Sequence, residues 1–121
     1  MKLNKLLTLT VLIPASALLL AQSPGKKSES VYTQKPKDLE AVFFTPENFN
    51  IKADGKTDVS DQLQEAINKV KTEKNFGIVF LPEGRYVISK TIHIPPAVRL
   101  IGYGKERPEI ILARNSPGYQ I

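Results

Sequence analysis

In the middle of the chain the apolar residues fall into a helical rhythm. Val59, Leu63, Ala66, Ile67 and Val70 stand three and four apart, while Gln62, Glu65, Asn68, Lys69 and Glu73 take the other side. This period predicts an amphipathic α-helix over about residues 58–75. Asp58 or Ser60 is placed to cap its N-terminus, Asp61 complements the dipole, and Glu65 and Lys69 form an i,i+4 pair. Asn75 and Gly77 are its stop signals.

Beyond Gly77 the pattern shortens into strand-like pieces: Ile78 to Leu81, Tyr86 to Ile88, Ile92 to Ile94, Val98 to Ile101, and Ile110 to Leu112. Each is bounded by breakers. Pro82-Glu83-Gly84 suits a type I turn, Pro95-Pro96 blocks ladder pairing, and Gly102 and Gly104 flank Tyr103. Short strands joined by unlike turns suggest the coils of a solenoid. Slides of about one rung, 20 residues in the first case and 24 in the second, lay Val98 to Ile101 over Ile78 to Leu81 and Ile110 to Leu112 over Tyr86 to Ile88. The pattern alone also admits a small antiparallel sheet with a helix on one face.

The first forty residues read differently. Met1 to Lys5 is a short basic start and Leu6 to Ala21 an apolar run broken by Pro14. The expectation is a signal peptide over residues 1–21, cut after Ala21 or after the Ala15-Ser16-Ala17 site. The run is shorter than the ~20 apolar residues of a spanning helix. Residues 22–40, rich in Lys and Ser with two prolines, read as a polar flexible linker. Ala41 to Thr45 is the first patch able to pack, and Pro46 ends it. Residues 41–121 therefore hold the foldable domain, with its coils from about 77 onward.

Composition narrows the chemistry. At 41% hydrophobic and 24% charged residues, neither wholesale disorder nor a multi-span membrane protein fits. The formal charge of +5 falls to +3 once Lys2 and Lys5 are removed, and acids separate the remaining bases, which argues against a nucleic-acid groove. With no cysteine, disulfides, Cys-based zinc sites and thiol catalysis are excluded.

Several motifs have a plainer reading than a functional one. Gly55-Lys56-Thr57 ends like a phosphate loop, but Asn50 stands where its first glycine belongs. Gly102-x-Gly104 lacks a third glycine and is followed by Pro108. Asp54 to Glu65 has calcium-loop length with acids at its first, fifth and twelfth places, yet Lys56 and Val59 fill the third and sixth. His93, the only histidine, reads as an outward strand residue. Tyr86, Tyr103 and Tyr119 read as packing or rim residues rather than a sugar platform.

Asp54-Gly55, Thr57-Asp58, Ser60, Leu63-Gln64 and Ala66-Ile67, followed by IVFLPEGRY and VRLIGYG, together resemble the N-terminal signature of the pectate-lyase superfamily. The resemblance runs from about Val42 to Leu112. It departs at Asn50-Ile51 and Ala53, where the family has glycines, and at Val59, where it has a second Asp. It implies a mainly β fold, with a capping helix and the first coils of an incomplete right-handed parallel β-helix. It further implies a secreted parent that hydrolyses or eliminates pectin-like or other acidic polysaccharide, its catalytic residues lying beyond Ile121. The alternative is a non-catalytic β-helix that binds carbohydrate, as an adhesin or tailspike does. No catalytic, cofactor-binding or metal-ligating residue is assigned, no cofactor is expected, and the expected partner is a polysaccharide.

The signal-peptide reading has a direct check. N-terminal sequencing of an exported product is expected to begin at Gln22 or Leu18, and Met1 on a membrane-bound product would refute it.

Overall fold

A computed structural model describes Gly25 and residues 28–116; the expected signal peptide lies outside them. Six strands and two helices follow in the order β1 (Val42–Phe43), α1 (Pro46–Phe49), β2 (Asp54–Asp58), α2 (Ser60–Lys74), β3 (Gly77–Pro82), β4 (Arg85–Ile88), β5 (Val98–Tyr103) and β6 (Glu109–Leu112). They form two three-stranded parallel sheets, β1-β3-β5 and β2-β4-β6, so the chain steps alternately between sheets. Parallel neighbours need such a crossover. The structure is thus mainly β with all paired strands parallel, and the antiparallel alternative is overturned.

The register shows how the strands stack. Tyr86 pairs with Ile110 and Ile88 with Leu112, as the slide predicts. In the other sheet Ile78 pairs with Arg99 rather than Val98, a one-residue correction. Its cause is that β3 starts a residue early, where the Gly77 N–H donates to the C=O of Ala97. The shift matters because alternate residues face opposite ways. Val42, Val79 and Leu100 stand in register toward the core, while Phe43, Phe80 and Ile101 face outward. Outside, Phe43 stacks on Phe80 at 5.3 Å and Tyr103 meets both edge-on.

Helix α2 closes one end of the space between the sheets. Val59, Leu63, Ala66, Ile67 and Val70 are all buried in one cluster with Phe44, Val79, Leu81, Tyr86, Ile88 and Ile92. Each large side chain in that stripe contributes roughly 1.5–3 kcal/mol of burial, an upper bound given what the unfolded chain already hides. The helix stops where the sequence signals, at Asn75, whose φ of 64° is left-handed. Lys71 ties this end down by donating to the C=O of Asn75 and of Pro96, both at 3.2 Å.

Four local expectations change. Val59, not Asp58 or Ser60, is the N-cap residue, because its N–H is committed to Val87 of β4. Ile92 to Ile94 is no strand: Gln64 clips it, accepting the His93 N–H at 2.8 Å and donating to its C=O at 3.0 Å. Asp54 to Asp58 is a strand that its polar sequence hides, joined to β4 across a register irregularity. Lastly, part of the expected flexible linker is laid against the molecule, with Tyr32 bridged to Tyr103 and Glu29 to Glu106.

Leu63→Asp is expected to destabilise the chain by more than about 3 kcal/mol, because it places a carboxylate in the fully buried stripe. Glu65→Ala, on the wet face, is expected to stay within about 0.5 kcal/mol. Denaturant melts of the two variants measure the contrast, and equal losses would refute this placement of the helix.

Candidate functional site

The strands of the second sheet bring unlike charges side by side. Arg85 is in register with Asp54 on one side and Glu109 on the other, and its Nε donates to Glu109 Oε2 at 3.1 Å. Arg85, Glu109, Glu83, Glu106 and Arg107 line a cleft of about 270 Å³ around Gly84. Gly84 is required there: its φ is 155°, and a Cβ would come within 2.6 Å of the Ala53 Cβ. Glu83 is held by its Oε2, which accepts the N–H groups of Lys105 at 2.8 Å and Glu106 at 3.2 Å. The cleft thus offers fixed donors and acceptors to a polar ligand.

A second concavity of about 440 Å³ lies at the other sheet's starting edge, beside the end of α2. Ile78, Ala41 and Ala97 make an apolar floor, with Asp38 and Arg99 at its margin and Lys74 paired to Glu40. Phe76, 68% exposed, stands over it. Neither concavity was visible in the sequence. The Phe76 signal was available, since a large aromatic directly after a helix stop has no core to enter.

The residues singled out from sequence do not converge. Asp54 accepts N–H bonds from Lys56 and Thr57, both at 2.8 Å, and the Thr57 hydroxyl at 2.9 Å. The Thr57 and Lys56 amides hold its carboxyl down at about 2. These same amides are the ones a phosphate would need, so Gly55-Lys56-Thr57 forms a side-chain-closed turn. Partial burial works to raise the Asp58 carboxyl, but hydrogen bonds from Ser60 and Ser89 outweigh it and keep it below the usual range. Among the described residues no group of three His, Asp or Glu gathers to hold a metal. Gly102 lies so close to Pro108 that a Cβ would come within 2.5 Å of its ring, and Gly104 donates its N–H to Tyr32. His93 is exposed on its loop. Tyr86 is buried, its hydroxyl donating to the Pro82 C=O at 2.8 Å, and burial pushes the phenol up to about 12. Tyr103 belongs to the outer aromatic cluster, and Tyr119 lies outside the described residues.

The sequence offered Ser60 as a helix cap, and its hydroxyl instead makes three hydrogen bonds of its own. Only 2% exposed, Ser60 donates to Asp58 and accepts the N–H groups of Ser89 at 2.8 Å and Lys90 at 3.2 Å. Ser89 in turn donates its hydroxyl to Asp58. This network ties the start of α2 to the loop after β4. It is a junction rather than a nucleophile, since the hydroxyl is buried and committed to Asp58 and to two amides.

Comparison with known proteins adds three findings. A family model described as rhamnogalacturonase A/epimerase, pectate lyase-like, matches residues 43–121. A protein of Arthroderma benhamiae described as a probable glucan endo-1,3-beta-glucosidase is 27% identical over 89 residues, which are 74% of this chain and 10% of that protein. The chain therefore spans about a tenth of the length of that curated relative. No solved structure matches.

Because the Asp54 carboxyl is held below its ordinary value, its turn is fully formed above about pH 4 and loosens as the pH falls through about 2. Carboxyl-carbon NMR is expected to place the Asp54 titration near 2. Asp54→Ala is expected to speed amide exchange at Lys56 and Thr57 at neutral pH, and a titration at the usual carboxylate value would refute the hydrogen-bonded turn.

Proposed function

Because this chain belongs to the rhamnogalacturonase A/epimerase, pectate lyase-like family, we propose that it forms the helix-capped first coils of a right-handed parallel β-helix in an exported polysaccharide-degrading protein. The carrying observation is the alternation of successive strands between two parallel sheets, each coil stacked in register on the last, with α2 over one end. An apolar helix stripe on that end keeps water from the core, which is what a solenoid terminus requires. The Arthroderma relative, described as a glucosidase, supports a carbohydrate as substrate of the whole protein.

Within that protein, this region serves as cap and scaffold. Asp54, Asp58, Glu83 and Glu109, the acids best held by the fold, are engaged by amides, hydroxyls or Arg85. A general acid needs a carboxyl poised near the working pH and facing substrate, and the hydrogen-bonded Asp54 and Asp58 are moved the other way. Catalysis on this reading belongs to other coils, while the charged cleft around Arg85 supplies polysaccharide contacts.

The purified chain is expected to release neither reducing nor unsaturated sugar from polygalacturonate, rhamnogalacturonan or β-1,3-glucan, yet to be retarded in gels containing at least one of them. Arg85→Ala is expected to weaken that retardation by about 3- to 10-fold, the loss of one or two charge-assisted hydrogen bonds. Sugar release above a blank would overturn the scaffold role, and unretarded migration with every polymer would overturn the carbohydrate contact.

A further inference from the structure

Both walls of the cleft around Gly84 belong to stacked turns, Glu83 and Gly84 between β3 and β4, and Glu106 and Arg107 between β5 and β6. Three carboxylates, of Glu83, Glu106 and Glu109, line it against two guanidiniums, of Arg85 and Arg107. Asp54 adds a further carboxylate on the neighbouring strand, in register with Arg85. The whole chain carries a formal charge of +5, so this is a local excess of acid on a basic protein.

Each guanidinium already has one N–H engaged. Arg85 Nε donates to Glu109 at 3.1 Å, and strands about 4.8 Å apart set Asp54 and Glu109 on either side of it. The Asp54 carboxyl, held at about 2 by its amides, stays charged at any working pH. Arg107 Nε donates to the Glu29 C=O at 2.9 Å. A carboxylate that reaches Arg85 therefore comes within the ~8 Å screening length of others already there.

A hydroxyl meets no such repulsion. It donates as well as accepts, so neighbouring carboxylates and guanidiniums satisfy it in both directions, whereas a carboxylate only accepts. The groups are also within reach. Arg85 and Glu109 are 59% and 49% exposed. Glu83 is fixed through Oε2 by the Lys105 and Glu106 amides, which leaves its Oε1 to accept from a ligand.

Resting on the carbohydrate contact assigned to this cleft above, we propose that it selects neutral, hydroxyl-bearing sugars and turns uronates away, with Glu83 and Glu109 as the discriminating residues. The selection works by repelling the wrong ligand as much as by holding the right one. It departs from the acidic polysaccharide that the family resemblance implies.

The test is an NMR titration of the purified chain with neutral tetramers of β-1,3- and β-1,4-linked glucose and with a tetramer of galacturonic acid. Amide shifts at Gly84, Arg85 and Glu109 report the cleft alone, so uronate held by lysines elsewhere does not enter. At least one neutral tetramer is expected to bind the cleft about 10-fold or more tightly than the galacturonate, given the cost of like charges in contact. Raising salt from about 20 to about 300 mM is expected to narrow that ratio at least ~3-fold by screening. Glu83→Gln with Glu109→Gln removes two charges and keeps the shapes, and is likewise expected to lower the ratio at least ~3-fold. Cleft amides that answer galacturonate as well as or better than glucose overturn the selection and leave the carbohydrate contact standing. Amides moved by no tetramer overturn the contact and the selection together. A ratio unchanged in the folded double variant overturns the assignment to these carboxylates. Amide exchange at Leu63 and Ile67 reports folding. Should the variant lose that protection, the salt series on the unaltered chain decides, and a ratio indifferent to salt overturns the electrostatic selection.

Discussion

The helix and the sheets meet at one buried hydroxyl, and the direction of the helix depends on it. Ser60 faces Asp58 at the end of β2 and the amides of Ser89 and Lys90 beyond β4, so three chain segments share a single side chain. Losing such a group leaves the partly covered Ser89 and Lys90 amides and the Asp58 carboxylate to solvent, so the cost falls below the ~1–3 kcal/mol of a fully buried unpaired group. More important is what the junction aims. With Val59 hydrogen-bonded to Val87 and Ser60 anchored, α2 leaves the second sheet at an angle that lands Leu63, Ile67 and Val70 on Val79 and Leu81.

From that junction the rest follows by stacking. A parallel strand satisfies its main chain only through neighbours reached by a crossover, so each strand is a template for the next in its sheet. The inward residues Val42, Val79 and Leu100 form one ladder and the outward Phe43 and Phe80 another, which leaves the first sheet covered on both faces. The same arithmetic puts Asp54, Arg85 and Glu109 in a row on the second sheet. A row of unlike charges thus arises from register, on strands about 4.8 Å apart.

Groups outside the sheets also serve the main chain: Ser28 to Tyr32 bond along β5, and Gln64 clips the His93 backbone on its loop. Both use polar contacts where a buried strand would use apolar area.

What the sequence determined by itself is whatever rests on side-chain burial. The stripe from Val59 to Val70, the stops at Asn75 and Gly77, the turn at Pro82 to Gly84 and four of the five strand pieces were all legible, because each leaves a periodic or steric mark in residue type. The family signature was legible for the same reason. Tertiary structure alone decided the one-residue register of β3 on β5, the strand character of Asp54 to Asp58, the clip at His93, and the charged cleft built from Arg85, Glu83 and Glu109. It alone placed Ser28 to Tyr32 on an edge. All of these depend on main-chain hydrogen bonds or on residues some 20 or more positions apart. Every residue but proline carries the same amide and carbonyl, so such pairings leave no trace in side-chain pattern until the chain is folded.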